Sequence, residues 1–266
     1  MNPDEMKAAF PEAIENVANL NDKVVVVVGD IGHFALQGFA KKNPERYYNL
    51  GILEPTLVST CAGLSKEGFY SIGHTIAPFI AERSLEQIKL DFCYQKIGGN
   101  LITVGSAFDY STLGCTHHSY NDLGLISSYP NTEVFYPASP KELISLLEQR
   151  FDSEKLSYFR MARNPHGVNF KEVKFGKNIL VSEGSDITLI TSGPQLKEII
   201  RTSKLLNKDG ISTDIIYCHT IKPFDSESLI NSAIKTKRVF VVEEHISSGS
   251  LISNVLQSLR LIPEVK

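Results

Sequence analysis

The sequence lacks several features that would assign it to a specialised class of protein. None of its 266 residues falls in an apolar run of the roughly 20 residues that a membrane-spanning helix needs. Basic charge is not in excess, because 27 Lys and Arg are outnumbered by 30 Asp and Glu, for a net charge of −3. A surface for nucleic acid or for an anionic membrane is therefore not expected. The first residues lack the basic and apolar regions of a signal peptide, so we expect a cytoplasmic protein.

Cysteine is also scarce and scattered. The four cysteines are Cys61, Cys93, Cys115 and Cys218, and none of them forms a CxxC pair. This spacing gives neither the signature of a zinc site nor a disulfide framework. What remains is a globular composition, with 42% hydrophobic and 21% charged residues, and a length that favours two domains.

Strand and helix patterns alternate along the first part of the chain. An amphipathic helix is predicted over 4–20, because apolar residues recur there at helical spacing. Val24–Val28 is a continuous β-branched run, which is typical of a parallel strand covered on both faces. The alternation predicts a parallel α/β sheet. Further strands are expected at 69–73, 101–104, 133–136 and 156–161, with helices at 78–94, 122–127 and from Pro140 onwards.

A second α/β unit is predicted towards the end of the chain. Residues 166–180 are polar and irregular and make the best linker candidate. We therefore predict two parallel-sheet α/β domains, at 1–165 and 181–266, of which the second is smaller. Its expected strands are 188–192, 213–217 and 238–243, and its expected helices are 194–207, 225–235 and 249–260.

The stretch from Tyr48 to Leu64 organises the first domain. It predicts an extended approach, a turn at Gly51, and a helix with one apolar face. Glu54 falls in the first turn of that helix, where the positive end of the helix dipole tolerates a carboxylate. On these residues alone two interpretations are open, namely a carboxylate that complements the dipole and a positioned acid–base group.

Two other segments carry polar groups at expected strand ends. The run Val24–Val28 stops at Asp30, in a position where an open α/β sheet presents ligand contacts, although Asp30 could equally cap a turn. The stretch 105–121 is long and irregular, and it contains His117. Because long loops inside compact domains are usually functional, we expect this loop to contribute to a site.

Several separated motifs resemble one family. The segment 49–54, Asn-Leu-Gly-Ile-Leu-Glu, resembles the N-x-G-I-x-E of transketolases, and 114–117, Gly-Cys-Thr-His, resembles their G-P-T-H. The resemblance continues through 136–142, 160–163, 221–225 and 241–245, so it covers almost the whole chain. It implies the pyrimidine-binding domain and the C-terminal domain of a thiamine diphosphate enzyme, that is, the back half of a transketolase made as a separate subunit.

The resemblance also implies that part of the active site lies on another chain. The family binds Mg²⁺ and the diphosphate through a Gly-Asp-Gly motif and a later Asn in a preceding domain. Here Gly29-Asp30-Ile31 is the only near match, and its strand corresponds to a different part of the family. An N-terminal transketolase subunit that carries the diphosphate and Mg²⁺ ligands is therefore implied, with no metal ligand on this chain and with an α₂β₂ assembly.

The resemblance assigns a group of residues to the cofactor. Glu54 matches the family's catalytic glutamate, which exchanges a proton with a ring nitrogen of the aminopyrimidine. Phe79 matches the aromatic residue that stacks on this ring, and Ile76 stands where a second aromatic residue is usual. Asp30 matches an acid near the cofactor and the substrate.

Other residues are assigned to the substrate. His117 matches a residue that contacts the substrate and transfers a proton to its oxygen. Arg163 and Arg160 resemble arginines that hold a sugar phosphate, for which a bidentate guanidinium is suited. Lys7 lies where the family often has another phosphate-binding cation.

Departures from the family pattern concern substrate recognition. Gly105 stands where transketolases carry a His, and Leu113 stands where they carry an Asp. Loss of such hydrogen-bonding groups changes specificity more than it changes the cofactor chemistry. We therefore expect transfer of a two-carbon ketol unit between sugars or sugar phosphates, on an unusual substrate. The alternatives are a deoxyxylulose-phosphate synthase-like enzyme, the β subunit of a 2-oxoacid dehydrogenase, and a non-catalytic assembly subunit.

Overall fold

The structure, a computed structural model, describes residues 4–265. Helices and strands alternate along most of this range, as the sequence patterns predict. The strands are β1 (Val24–Val28), β2 (Tyr47–Asn49), β3 (Tyr70–Ile76), β4 (Gly99–Val104), β5 (Thr132–Phe135), β6 (Leu156–Met161), β7 (Ile179–Ser182), β8 (Ile187–Thr191), β9 (Thr213–Tyr217), β10 (Thr220–Lys222) and β11 (Val239–Val242). The helices are α1 (Asp4–Leu20), α2 (Gln37–Lys42), α3 (Glu54–Lys66), α4 (Ala77–Ala81), α5 (Leu85–Gln87), α6 (Asp122–Ser127), α7 (Pro140–Arg150), α8 (Leu196–Lys208), α9 (Ser226–Thr236) and α10 (Leu251–Leu259).

The strands form two sheets. The larger has seven strands in the order β10-β5-β6-β4-β3-β1-β2, and the smaller has four in the order β11-β8-β9-β7. Each strand pairs with its neighbours in parallel, except that β10 is antiparallel to β5 and β7 is antiparallel to β9. The fold is therefore α/β with two mostly parallel sheets, as predicted.

Strand β1 explains how the larger sheet is buried on both faces. All five of its valines are buried. Because side chains alternate along a strand, Val24, Val26 and Val28 pack into the core beneath α1 and α7, while Val25 and Val27 pack into the opposite core beneath α3. Both faces of the strand are covered by core residues, which is why the strand is apolar at every position.

The parallel strands bring their carboxyl ends to one edge of the sheet. Val28 of β1 is in register with Asn49 at the end of β2. Farther along the sheet, Val104 of β4 is in register with Ile76 of β3 on one side and Met161 of β6 on the other. The segments that follow these strands therefore lie close together, where open α/β sheets bind their ligands.

One predicted helix is divided in the structure. In place of a single helix over 78–94, the chain forms α4, a turn, α5 and a π-helix over Ile88–Tyr94. The Ser84 hydroxyl donates a hydrogen bond to the Phe79 carbonyl at 3.0 Å, which offers this carbonyl a partner other than the helical backbone. The break leaves Arg83 in the turn between α4 and α5.

The second half of the chain adds a strand to the first sheet, which the alternation of elements does not predict. Strand β10 pairs with β5. Lys222 in β10 donates hydrogen bonds to the carbonyls of Ser127 and Tyr129, at 2.9 and 2.6 Å, and to Thr132 Oγ1 at 2.8 Å. These bonds fasten the second half of the chain to the loop between α6 and β5.

A buried carboxylate makes a second connection between the two halves. Helix α7 begins at Pro140 as predicted, and the Ser139 hydroxyl caps it by accepting a hydrogen bond from the Glu142 backbone N–H. The Glu142 carboxylate lies 2.6 Å from His166 Nε2 and accepts a hydrogen bond from the Tyr217 hydroxyl at 2.8 Å. Burial raises the pKa of Glu142, but the hydrogen bond and charge of His166 lower it further, so that its pKa is below the ordinary value. The expected linker 166–180 thus begins at a residue of this network.

Within the described residues, no helix is long and apolar enough to cross a membrane.

His74 makes the stability of the fold dependent on pH. Its ring stacks on Phe10 at 4.2 Å between centroids, and its Nδ1–H donates to the Ile102 carbonyl at 2.7 Å. Burial lowers the pKa of His74 to about 4, against 6.5 for an ordinary histidine. The folded state therefore favours the neutral ring. The contribution of neutral His74 to the free energy of unfolding is fully present above pH 6.5 and is lost as the pH falls towards 4.

We predict that the free energy of unfolding falls between pH 6.5 and 4 by less in His74→Asn than in the unmodified chain. The asparagine amide can still donate to the Ile102 carbonyl but does not titrate. In urea unfolding at several pH values, the fall in the free energy of unfolding between pH 6.5 and 4 should be smaller in His74→Asn by an amount on the order of 3 kcal/mol. Parallel profiles for the two chains would contradict this role of His74.

Candidate active site

Glu54 is the first residue of α3, at the point where the chain turns from β2 into the helix. The turn contains Gly51, whose φ of +71° lies in the left-handed region that favours glycine. The Asn49 side-chain oxygen accepts a hydrogen bond from the Gly51 N–H at 3.0 Å. The Glu54 side chain is only 2% exposed, and Arg83 Nη1 donates to its Oε2 at 2.8 Å. The helix start and this arginine therefore compensate a buried carboxylate.

Asp30 follows β1 at the same edge of the sheet. Its backbone has a left-handed φ of +67°, and its N–H donates to the Asn49 side-chain oxygen at 3.1 Å. The Asn49 amide in turn donates to Asp30 Oδ1 at 3.3 Å. Burial raises the pKa of Tyr47 to about 12, and the negative charge of the exposed Asp30 acts in the same direction. Asn49 thus joins Asp30 to the turn that precedes Glu54.

Phe79 connects the residues around Glu54 to the long loop. The Arg83 guanidinium lies over the Phe79 ring, with Cζ 4.2 Å from the ring centroid. The His117 ring contacts Phe79 edge to face, with centroids 5.2 Å apart. Ile76 is buried at the end of β3, three residues before Phe79. The structure therefore brings Glu54, Phe79 and His117 into one continuous set of contacts through Arg83.

Tyr110 extends this set of contacts towards Arg163. Gly105 has a φ of +86°, and a Cβ built there would lie 2.4 Å from the Tyr110 ring, so the ring packs against a position that only glycine leaves open. The Tyr110 ring lies 6.4 Å from that of His117, and Arg163 Cζ lies 5.6 Å from the Tyr110 centroid. Burial raises the pKa of Tyr110, so its hydroxyl stays protonated and can donate a hydrogen bond.

Asp109 fixes the start of the same loop. Its Oδ2 accepts hydrogen bonds from the Ser106 N–H and hydroxyl at 2.9 and 2.8 Å, and from the Arg163 N–H at 3.2 Å. The loop that carries His117 is therefore attached to the segment after β6. This attachment positions Tyr110 and Arg163 side by side.

A cavity of about 410 Å³ lies at this edge of the sheet, on the face that α1 covers. Lys7 and Arg163, two of the predicted substrate residues, are part of its wall. Much of the rest is apolar or aromatic, and includes Phe34, His74 and Tyr110. Tyr110 thus lies between the cavity and the pair formed by Phe79 and His117.

Arg160 does not reach this cavity. Its side chain is fully buried, with Cζ 4.6 Å from the Tyr136 centroid and Nη1 3.5 Å from Asp122 Oδ1. Its Nη2 donates to the Glu244 carbonyl at 3.3 Å, which joins β6 to the second half of the chain. Burial lowers the pKa of Arg160, but the charge of Asp122 and its other neighbours raise it further, so the guanidinium stays charged. In this structure Arg160 makes contacts within the protein interior.

Three residues of this region are not among those that the sequence motifs predict. Arg83 and Tyr110 contact the predicted residues directly, and His74 lines the cavity. For Tyr110 a signal was available, because Gly105 replaces a larger family residue and leaves room for a neighbouring ring. Arg83 depends on the break after α4, which no local pattern predicts.

Comparisons with known proteins agree with this arrangement of elements. The model of the transketolase pyrimidine-binding domain matches residues 4–166, and that of the transketolase C-terminal domain matches residues 176–263. The chain is 31% identical to a subunit of the apulose-4-phosphate transketolase of Actinobacillus succinogenes, over 91% of this chain and 80% of that one. It is 27% identical to 1-deoxy-D-xylulose-5-phosphate synthase 1 of Geobacter sulfurreducens, over 94% of this chain but only 40% of that one.

A solved structure has the same fold over nearly the whole chain. It is described as a split gene transketolase in an inactive β₄ tetramer, and it superposes with a TM-score of 0.88 at 29% identity. The match covers 96% of this chain and 84% of that one. With both domain models matched in order along its length, this chain belongs to the transketolase family.

Proposed function

We propose that this chain is one subunit of a thiamine diphosphate-dependent transketolase-like transferase. It moves a two-carbon ketol unit between sugars or sugar phosphates, together with an N-terminal transketolase subunit that binds the diphosphate and Mg²⁺. The observation that carries the proposal is the nearly complete burial of the Glu54 carboxylate, which Arg83 connects to the Phe79 ring, in a chain matched by both domain models. Relatives that are themselves described as single subunits of a transketolase support the division between two chains.

The residues around Glu54 fit the aminopyrimidine end of the cofactor. One buried carboxylate, one aromatic face on Phe79 and the apolar side chain of Ile76 suit a flat ring with a single polar edge. The described residues contain no cluster of three or more His, Cys, Asp or Glu that could hold a metal ion. The Mg²⁺ ligands on a partner subunit, and an α₂β₂ assembly, are thus parts of the proposal that rest on the family resemblance.

Each assigned residue has a distinct task. When bound, thiamine diphosphate supplies a nucleophilic carbon and an electron sink for cleavage of the bond beside a ketone. Glu54 holds the ring and exchanges a proton with it at a carboxylate oxygen, and Phe79 and Ile76 keep water from that contact. His117 carries a proton to or from the substrate oxygen, and Asp30 is the acid near the cofactor and the substrate.

The cavity supports a substrate with an anionic group. Lys7 and Arg163 both line it, and a guanidinium binds a phosphate in bidentate fashion. Arg160 is fully buried and contacts no ligand in this proposal. Gly105 and Leu113 offer no side-chain hydrogen bond to the donor sugar, which favours an unusual ketose such as the one in the name of the Actinobacillus relative.

Further parts of the proposal follow from the sequence. Residues 1–165 form the pyrimidine-binding unit, 166–180 the linker and 181–266 the C-terminal unit, and the protein is cytoplasmic. A second candidate activity is that of a deoxyxylulose-phosphate synthase, which the similarity to the Geobacter enzyme favours. Pyruvate as donor with release of CO₂ would distinguish it, because a transketolase transfers a ketol unit and not an acetyl unit.

We predict that Glu54→Gln lowers kcat of the reconstituted two-subunit enzyme by about 10²- to 10⁴-fold, because the amide cannot exchange the proton. The measurement is turnover of hydroxypyruvate, a ketol donor without phosphate, with an aldose acceptor. Glu133→Gln is the matched control, since Glu133 is equally buried and paired with Arg150 away from the site. Full turnover by Glu54→Gln would favour a non-catalytic assembly subunit.

We predict that Arg163→Ala raises KM for fructose 6-phosphate by about 10- to 100-fold, because a charge-assisted contact to phosphate is lost. The value of kcat should change less, and KM for hydroxypyruvate should stay within about twofold. Lys7→Ala should act in the same direction with a smaller effect, since ammonium makes a less directional contact. An equal rise in KM for both donors would show that Arg163 does not bind the phosphate.

A further inference from the structure

Arg83 contacts both residues that the proposed function assigns to the aminopyrimidine. Its Nη1 donates to Glu54 Oε2 at 2.8 Å, and its Cζ lies 4.2 Å from the centroid of the Phe79 ring. One planar group therefore forms a hydrogen bond with the carboxylate and covers the aromatic face at the same time. The sequence motifs and the family comparisons assign no role to this arginine.

A guanidinium resembles an aminopyrimidine in the properties that matter here. It is flat, it stacks on aromatic rings, and it presents N–H groups in its own plane to a carboxylate. Two flat groups cannot bond the same carboxylate oxygen and stack on the same ring face at the same time. The guanidinium of Arg83 and the ring of the cofactor therefore compete.

We propose that Arg83 is a positioning residue that closes the pyrimidine slot until the cofactor displaces it. In the free chain its guanidinium keeps the buried Glu54 charge paired and covers Phe79. Binding of the aminopyrimidine moves the guanidinium outwards and transfers Glu54 to the ring. The inference rests on the proposed function, because it requires Glu54 and Phe79 to bind that ring.

The burial of the two partners makes this displacement feasible. The Glu54 side chain is 2% exposed and cannot move far from the helix start, whereas the Arg83 side chain is 46% exposed. The arginine can therefore turn into solvent while the carboxylate stays in place. An ion pair with one exposed partner and a partly exposed cation–π contact are weak, so together they should reduce cofactor affinity by about 3- to 30-fold. This is the reduction expected when only part of the population has an open slot.

The chain contains a matched control for the variant. Arg150 bonds the buried Glu133 at 2.7 Å, and its Cζ lies 4.3 Å from the Phe175 centroid. This arrangement has the same chemistry as that of Arg83 but is located at the end of α7, away from the candidate active site. Arg150→Met therefore reproduces the loss of an arginine between a glutamate and a phenylalanine without opening the slot.

The test is binding of thiamine, the vitamin without its diphosphate, to the 266-residue chain by saturation-transfer NMR titration. Arg83→Met should lower the dissociation constant by about 3- to 30-fold relative to the unmodified chain, and Arg150→Met should leave it unchanged. Arg83→Lys retains a cation for Glu54 and protects the fold, and it should lower the constant by a smaller factor. Thiamine is used because its ring contacts are the ones in question and no partner subunit is needed to hold a diphosphate.

Equal or weaker binding by Arg83→Met would overturn the inference, because the arginine would then not occupy the ring's place. Absence of binding by both chains up to millimolar thiamine would overturn it as well, since an opened slot should take the ring. The proposed function is tested separately by the turnover of Glu54→Gln in the reconstituted enzyme. If Glu54→Gln loses turnover while Arg83→Met leaves the dissociation constant for thiamine unchanged, the proposed role of Arg83 is wrong and the proposed function stands.

Discussion

The arrangement of the whole site depends on one buried carboxylate, that of Glu54. A charge almost out of water is costly unless it is paired and hydrogen-bonded. Here the start of α3 and the Arg83 guanidinium supply that compensation. The glycine turn at Gly51 and the side chain of Asn49 fix the entry to the helix, so the carboxylate has little freedom to move. Its environment is suited to one well-placed polar contact, such as that with a ring nitrogen.

The larger sheet supplies the remaining groups because its parallel strands all end at one edge. Asp30 follows β1, and the loop with His117 follows β4 and is held by Asp109 to the segment after β6. The cations of the cavity, Lys7 and Arg163, come from α1 and from that same segment. Acid–base groups and cations thus occupy neighbouring regions with Tyr110 between them. The division suits a substrate whose reacting carbonyl and anionic end lie some distance apart.

Much of the fold could be predicted because its signals are local. The valines of β1 identify a strand covered on both faces, and Ser139 with Pro140 identifies the start of α7. The pairing of β10 with β5 could not be predicted in this way, since it depends on contacts between distant parts of the chain. The site is limited in the same way, because motifs identify Glu54 but not Arg83. The position of Arg83 follows from a break in a helix, which no local pattern predicts.

The most direct measurement is a crystal structure of the reconstituted two-subunit complex with thiamine diphosphate bound. The distance of interest runs from the Glu54 carboxylate to the nearest ring nitrogen of the aminopyrimidine. A hydrogen-bond distance of about 2.6–3.2 Å, with the ring against Phe79, is the predicted result. A complex in which the ring binds elsewhere while Glu54 remains bonded to Arg83 would contradict the central claim.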